Sequence, residues 1–287
     1  MASGKEIKNK IKTVSNTKKI TKAMQMVAAS KMKKAQDVVA SARPYSNKIR
    51  AVLSHLAQIH PEYKHPYIQH REEVKSICAI VITTDKGLSG GLNGNLLRNV
   101  LKFIRANKEK TLKFICIGRK GGAFLKRLDI NIIGEITGIS EHPKLLDLVP
   151  AITLASKEYL DGNVDEVVCF YNTFVNTMSQ NPTQSTLIPV PIPEKQKLDK
   201  SNWDYLYEPE AKDVMETLLK RYIEAVLYEL ALENSASEQS ARMVAMKAAT
   251  ENAGDIIEIL NVTYNKSRQA SITQELSEIV AGANAIG

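Results

Sequence analysis

Proline and glycine are scarce at both ends of this 287-residue chain. No proline precedes Pro44, none follows Pro209, and Gly254 is the one glycine in the interior of the last stretch. Because proline interrupts helical hydrogen bonding and glycine weakens a helix, both ends are free to form very long helices. A chain that begins and ends in a long helix can pair its own termini. That architecture suits mechanical coupling more than it suits a ligand pocket.

Cysteines and long apolar runs are also lacking. The three cysteines, Cys78, Cys116 and Cys169, lie far apart inside apolar strand-like stretches. This pattern predicts buried free thiols in a reducing compartment. No run of about 18 apolar residues occurs, so no membrane-spanning helix is predicted. The lysine-rich N-terminus has no apolar signal core, so a targeting segment is not expected.

Positive charge is concentrated near the N-terminus. Residues 1–50 contain 13 Lys and Arg and two acids, a net +11, while the whole chain has a net +8, so the other residues sum to −3. A segment this basic predicts an acidic partner. Nucleic acid, anionic lipid and an acidic protein surface each satisfy that requirement.

The first helix is predicted to run to about residue 57. From Ala35 onward apolar residues recur at alternating steps of three and four, which is the heptad rhythm of a coiled coil, and the rhythm continues past Pro44. An earlier stripe through Ile20, Met24 and Val27 is expected to continue the contact with a shift in phase. The predicted seam consists of Ala35, Val38, Ala42, Tyr45, Ile49, Val52 and Leu56.

The last helix is predicted from about Pro209 to Ala283. If the two helices pair antiparallel, the C-terminal one extends about 20 residues further, because it is longer at about 1.5 Å per residue. The stretch SASEQSARMVAMKAATENAG, rich in small and polar residues, predicts a crowded and partly wet contact with a neighbour.

The middle of the chain alternates strand-like and helix-like segments, which predicts a mainly parallel sheet covered on both faces. The predicted fold class is α/β plus α, with a long antiparallel coiled coil of the terminal helices and a central, Rossmann-like α/β domain. The predicted division is an N-terminal helix over 1–57, the α/β domain over 75–200 and a C-terminal helix over 209–287. The predicted strands are SICAIVITT, TLKFICIG, DINIIGEI, EVVCFYNTFV and the edge strand QSTLIPVPIP; the predicted helices between them are NGNLLRNVLKFIRANK and PKLLDLVPAITLASKEYL.

The sequence does not indicate a catalytic, cofactor-binding or metal site. The glycine-rich TTDKGLSGGLNGNLL lies where a phosphate loop would lie, but it matches neither common nucleotide-binding fingerprint. His60, His65 and His70 are five residues apart, which places them on neither one helical face nor one strand face. Two other classes stay open at this point. One is an enzyme with a dinucleotide-binding domain and a helical oligomerisation arm; the other is a basic coiled coil that binds nucleic acid.

Four segments resemble one family, in order along essentially the whole chain. NTKKITKAMQMVAASKM, DKGLSGGLN, SEQSARMVAMKAATENA and YNKSRQASITQELSEIVAGA are similar to the gamma subunit of the rotary F-type (F1Fo) ATP synthase, bacterial type. The resemblance implies a non-catalytic central rotor shaft that couples proton flow to the cycling of the catalytic beta subunits. It implies one copy inside the hexamer of alternating alpha and beta subunits, with the epsilon subunit and the c-subunit ring as further partners. No cofactor and no nucleic acid are implied.

The resemblance also implies roles for individual residues. Met24 is expected to face the acidic lever loop of the beta subunit, and Arg242, Gln269 and Thr273 to meet its catch region. Tyr205, Tyr207 and Glu208 are expected in the foot that contacts the c ring and epsilon. Because no clear transit sequence is present, the expected location is the bacterial inner membrane, peripheral and on the cytoplasmic side.

Overall fold

The computed structural model describes residues 4–59, 65–139, 143–191 and 211–286. Very long helices occupy both ends of the described chain, as predicted. In chain order the elements are α1 (Gly4–Ile59), β1 (Ser76–Ile82), α2 (Leu92–Ala106), β2 (Thr111–Ile117), α3 (Arg119–Lys126), β3 (Ile132–Ile136), α4 (Leu145–Leu160), β4 (Glu166–Phe174), β5 (Gln180–Ile188) and α5 (Ala211–Ile286).

The five strands form one sheet in the order β3-β2-β1-β4-β5. The pairs β1–β2, β1–β4 and β2–β3 are parallel, and β4–β5 is antiparallel. The predicted class, a central mainly parallel sheet between long N-terminal and C-terminal helices, is confirmed.

Side chains that alternate along the strands fill two cores, one on each face of the sheet. On one face Ile77, Val81 and Phe114 are buried in a cluster with α2 and α3. The other face buries Ile80 and Ile115 in a larger cluster that includes residues of α1, α4 and α5. Both faces are therefore covered, which explains why the central strands β1 and β4 are mostly apolar.

Two elements differ from the sequence prediction. The edge strand β5 begins at Gln180, four residues before the predicted segment, because its first half is polar and partly exposed and gives little apolar signal. The short helix α3 was not predicted. Its sequence RKGGAFLK contains two glycines, which disfavour a helix in isolation, and tertiary contacts of Gly121 and Gly122 stabilise it here.

The chain divides into two compact units, and each long helix contributes to both. The terminal unit comprises Met1–Ala28 with Met243–Gly287, and the sheet unit comprises Ala29–Arg242.

In the sheet unit α1 pairs antiparallel with α5. The Arg43 side chain donates to Oε1 of Glu233 at 2.8 Å, and the Arg50 guanidinium lies 5.9 Å from the centre of the Tyr222 ring. As the residue number rises on α1 it falls on α5, which defines the antiparallel direction. Pro44 lies inside α1 and is exposed, so the helix tolerates it as predicted.

The seam of α1 in the sheet unit differs from the predicted one. Tyr45 was expected within it, but this residue is 57% exposed. The predicted heptad spacing is correct, but three seam positions are shifted by one residue. The buried residues at these three positions are Val39, Ser46 and Leu53, each of which directly follows a predicted seam residue. A serine gives no apolar signal, and its small size allows the two helices to approach closely. The buried positions of α1 in this unit are Ala35, Val39, Ser46, Ile49, Leu53, Ser54 and His55.

The terminal unit is also an antiparallel helix pair. Oγ1 of Thr250 lies 2.7 Å from Oγ1 of Thr21, and a methyl group placed on Gly4 would lie 3.7 Å from Cε2 of Tyr264. The buried residues of α1 here are Ile7, Thr21 and Ala28. Because Thr21 and Ala28 occupy the seam, the predicted stripe through Ile20 and Val27 is wrong. Those two residues are more than half exposed.

The C-terminal helix extends past the first described residue of α1, as the length argument predicted. From Tyr264 it continues to Ile286, roughly 33 Å at 1.5 Å per residue. Every described side chain of α5 from Arg268 to Asn284 is exposed.

Candidate functional site

The carboxyl edge of a parallel sheet is where ligands bind in open α/β folds, at the point where the strand order reverses. Here that point lies between β1 and β4. The crevice beside it is closed by α5, which contributes Asn234, Ser235 and Glu238 to its lining. The remaining cavity is about 40 Å³. That volume holds a water molecule or two, whereas pockets for small molecules span roughly 300–1,000 Å³.

The backbone donors at this edge are used by the chain's own carboxylate. The Arg119 N–H, at the start of α3, donates to Asp85 at 2.9 Å, and the Gly138 N–H donates to the other Asp85 oxygen at 2.9 Å. A helix N-terminus of this kind often binds phosphate. Asp85, in the glycine-rich loop Asp85–Gly91 between β1 and α2, therefore already supplies a negative charge to these two donors.

The three cysteines are free and buried. Burial raises the pKa of Cys78 and Cys116 to about 12, and it raises the pKa of Cys169 as well. The thiolate, the reactive form, is therefore suppressed. The prediction of buried free thiols is confirmed.

The described residues hold no group of three or more His, Cys, Asp or Glu side chains arranged for a metal ion. Within the same part of the chain, none of the helices has the length and apolar character needed to cross a bilayer.

The predicted rotor–stator residues occupy different environments. Met24 lies half-buried on α1 in the terminal unit, three residues after the buried Thr21. Gln269 and Thr273 are exposed on the same unit, one turn apart on α5, and Oγ1 of Thr273 donates to the Gln269 carbonyl at 2.9 Å. Because Thr21 meets Thr250 and the helices run antiparallel, Met24 and Gln269 lie at different levels of the helix pair, separated by roughly 33 Å along α5.

Arg242 is the last residue of the sheet unit and is only 7% exposed. Its guanidinium forms a salt bridge with Glu238, donates to Oε1 of Gln239 at 3.2 Å and donates to the Gly87 carbonyl at 3.3 Å. The side chain therefore joins α5 to the glycine-rich loop. The predicted foot residues Tyr205, Tyr207 and Glu208 lie outside the described residues.

The terminal unit exposes a large set of apolar side chains. Soluble proteins rarely leave extended apolar patches open unless another protein or a membrane covers them. Those on the overhanging part of α5 recur at helical spacing, which places them along one side of that helix. The exposed apolar residues of this unit are Ile20, Met26, Val27, Ile256, Ile259, Val262, Ile272, Leu276, Ile279 and Val280.

The same unit is basic on its N-terminal helix. The exposed lysines of α1 here include Lys8, Lys12 and Lys22, whereas Glu6 is the one acid of residues 4–28. Apolar and cationic side chains together therefore form a surface suited to an acidic protein partner with apolar contacts of its own.

Sequence reasoning missed one cluster of buried polar residues. Asn172, at the end of β4, and Asn234, on α5, are both nearly inaccessible and hydrogen-bonded to each other. The only signal was the polar, small-residue composition of SASEQSAR, which indicated a crowded contact but not its partner.

These features define a class: a subunit that works through the surfaces of paired terminal helices and whose α/β crevice is closed by one of those helices. The family model described as ATP synthase matches residues 3–286. The chain is 50% identical to the ATP synthase gamma chains of Nitrosomonas eutropha and Thiobacillus denitrificans, with full coverage of each chain. The central stalk of the Tetrahymena thermophila mitochondrial ATP synthase superposes with a TM-score of 0.62 at 26% identity, covering 80% of this chain and 99% of that one.

The chain therefore belongs to the ATP synthase gamma chain family. Its function is that of the central rotor shaft of the F1Fo ATP synthase.

Proposed function

We propose that this chain couples proton flow through a ring of c subunits to the conformational cycling of catalytic beta subunits, and performs no nucleotide chemistry itself. The observation that carries the proposal is the terminal unit, an antiparallel helix pair with ten exposed large apolar residues. A surface of this kind is suited to a partner protein that encloses the helix pair. We assign that role to a hexamer of alternating alpha and beta subunits around a single copy of this chain.

The mechanism is a population shift by differential contact. One asymmetric helix pair inside a ring of equivalent subunits must touch each of them differently. It therefore stabilises a different conformation in each catalytic subunit. Turning the pair exchanges which subunit is held in which conformation. Contacts that transmit this motion must be weak enough to break at each step. Exposed ion pairs, which stabilise by about 0–1 kcal/mol, meet that condition.

Individual contacts with the beta subunit are part of the proposal. We propose that Met24 faces an acidic loop of the beta subunit and that Gln269 and Thr273 meet a second region of the same subunit. Gln269 and Thr273 are exposed and lie beyond the α1 seam, which supports this assignment. Arg242 belongs to the same proposed set. Because this residue is only 7% exposed and its side chain bonds to Glu238 and Gly87, a contact with beta requires the side chain to move outward.

The contacts of the predicted foot residues are also part of the proposal. Tyr205, Tyr207 and Glu208 are proposed to contact the c ring and the epsilon subunit. The functional division is a shaft made of 1–57 and 209–287 and a base made of 75–200. The complex is proposed to lie at the bacterial inner membrane with this chain peripheral on the cytoplasmic side, which the bacterial relatives support. The basic helix is proposed to meet acidic protein surface and no nucleic acid.

A charge placed at Met24 tests the proposed role. Met24→Lys in the assembled complex adds an attraction to an acidic loop in one orientation of the shaft. We expect reduced ATP-driven proton pumping per ATP hydrolysed, while the complex still assembles with alpha and beta subunits. Ala23→Lys is the matched control, because Ala23 is exposed, lies outside the set of exposed large apolar residues and projects about 100° around the helix from Met24. Unchanged pumping per ATP in Met24→Lys, or an equal loss in both variants, contradicts the assignment of Met24.

A further inference from the structure

The part of α5 that crosses the carboxyl edge of the sheet is held by polar contacts. Between Ala231 and Arg242 every α5 residue except Glu238 is buried. Most of these residues are small or polar, and buried polar groups are retained where they are hydrogen-bonded. All the partners described below lie in the sheet unit.

The floor of this contact is Asn172 at the end of β4. Its side-chain amide donates to Oδ1 of Asn234 at 2.9 Å, and its backbone N–H donates to the same oxygen at 3.2 Å. The Ser237 hydroxyl donates to the Asn172 carbonyl at 2.9 Å. One sheet residue thus binds two positions of α5 that are one turn apart.

The turn between β4 and β5 forms one flank. The Ser240 hydroxyl donates to the Thr177 carbonyl at 2.7 Å and accepts from the Gln180 amide at 3.2 Å. The Gln180 amide also donates to the Asn176 carbonyl at 3.2 Å, so the turn is fixed internally as well as to the helix.

The glycine-rich loop after β1 forms the other flank through Arg242 and the Gly87 carbonyl. Successive helix residues are rotated by about 100°, so Ser240 and Arg242 project from nearly opposite sides of α5. The loop is itself fixed: the Thr84 hydroxyl donates to the Lys86 carbonyl at 2.6 Å, and Asp85 accepts from the backbone after β2 and β3. Floor and flanks together surround the helix on three sides.

We propose that this polar socket, made of Asn172, Thr177, Gln180 and Gly87 around Asn234, Ser237, Ser240 and Arg242, is the joint at which torque passes between the sheet unit and α5. The inference rests on the proposed rotary function and assigns the residues that fix the shaft helix. Apolar burial is non-directional, whereas a hydrogen bond has a preferred angle. Bonds on opposite sides therefore resist rotation of the helix about its axis in both directions. The socket residues are positioning residues.

Removing two hydroxyls tests this socket without removing bulk. In Ser237→Ala with Ser240→Ala, a floor bond and a flank bond are lost, while alanine favours the helix and offsets part of the lost stability. The measurement uses the assembled complex with its hexamer immobilised and a bead attached to the sheet unit. The spread of the bead angle during a pause in ATP-driven rotation reports torsional stiffness. We expect a loss of stiffness, together with a modest fall in melting temperature because buried partners lose their hydrogen bonds.

The matched control is Thr173→Val with Thr183→Val. It also removes two hydroxyls, which lie 2.8 Å apart across β4 and β5 and hydrogen-bond to each other. The control should keep the wild-type spread. An unchanged spread in the serine variant, or an equal increase in the control, overturns the socket but leaves the rotary function intact. Should the serine variant not assemble, Ser240→Ala alone is measured by the same criterion. A wild-type complex that does not rotate overturns both proposals.

Discussion

The two units of this chain use the same two helices in different ways. In the sheet unit, large side chains such as Leu53 and Tyr222 are almost completely buried. In the terminal unit, Ile7 and Met246 are buried together with smaller residues such as Thr21, but ten large apolar side chains are exposed. Among the described residues, the shorter terminal unit thus exposes more large apolar side chains than the sheet unit does.

This difference separates stability from function. Burial of apolar area is the main stabilising term in folding, so the sheet unit holds its own structure. The terminal unit also buries apolar side chains, but it leaves more large ones uncovered. Surface of that kind is available to a partner protein. The proposed rotation inside a ring of subunits uses this outward-facing apolar surface.

Truncating one large side chain in each unit should give the largest difference between the two units. Phe114→Ala removes a fully buried ring from the sheet unit and should lower the free energy of unfolding by about 3–5 kcal/mol. Ile259→Ala removes a side chain that is 65% exposed and should change it by less than about 0.5 kcal/mol. Denaturant unfolding of the purified chain measures both. Equal losses would show that the terminal unit buries Ile259 by itself.

A smaller effect is expected at the close approach between β1 and β2. Gly118 has a φ of +97°, and a methyl group there would lie 2.2 Å from the Thr83 carbonyl oxygen. Gly118→Ala should therefore destabilise the sheet unit by about 2–3 kcal/mol. Gly94 in α2 has open space around it, and Gly94→Ala should stabilise by about 0.5–1 kcal/mol. Melting curves that shift in the same direction for both substitutions would contradict this reading of the backbone.

The smallest effect concerns acid stability of the sheet unit. Burial raises the pKa of Asp165, but hydrogen bonds from Ser76, Arg71 and the Lys75 N–H outweigh it and lower that pKa to about 2. A lowered folded-state pKa adds stability above the ordinary value of 3.8, and this stability is lost as the pH falls towards 2. Asp165→Asn should lower the free energy of unfolding by about 1–2 kcal/mol at neutral pH. Its free energy of unfolding should also fall less steeply at acid pH than that of the wild type. An equally steep fall in the free energy of unfolding at acid pH in the variant and the wild type would contradict this role of Asp165.

The fold was largely predictable because its signals are long and apolar. The runs around Cys78, Cys116 and Cys169 are buried on both faces of the sheet, so composition alone located three of the strands. The two terminal helices followed from the absence of proline and glycine. Their antiparallel pairing was predicted, and the contacts of Arg43 with Glu233 and of Arg50 with Tyr222 confirm it.

The finer contacts were less predictable, for a physical reason. The α1 seam runs through Thr21 and Ser46, which an apolar pattern cannot detect, and the more hydrophobic Ile20 and Tyr45 face outward. The polar socket depends on Asn172 and Asn234, which are 62 residues apart in sequence and meet only in the folded sheet unit. Sequence composition indicated a crowded contact for α5, but the hydrogen-bond geometry arises from tertiary structure.

The most direct measurement of the central claim is rotation of this chain within its complex. With the alpha and beta subunits immobilised and a visible probe attached to the sheet unit, added ATP should turn the probe continuously in one direction. Withdrawal of ATP should stop it. A probe that stays fixed while the complex hydrolyses ATP would contradict the assignment of this chain as the shaft.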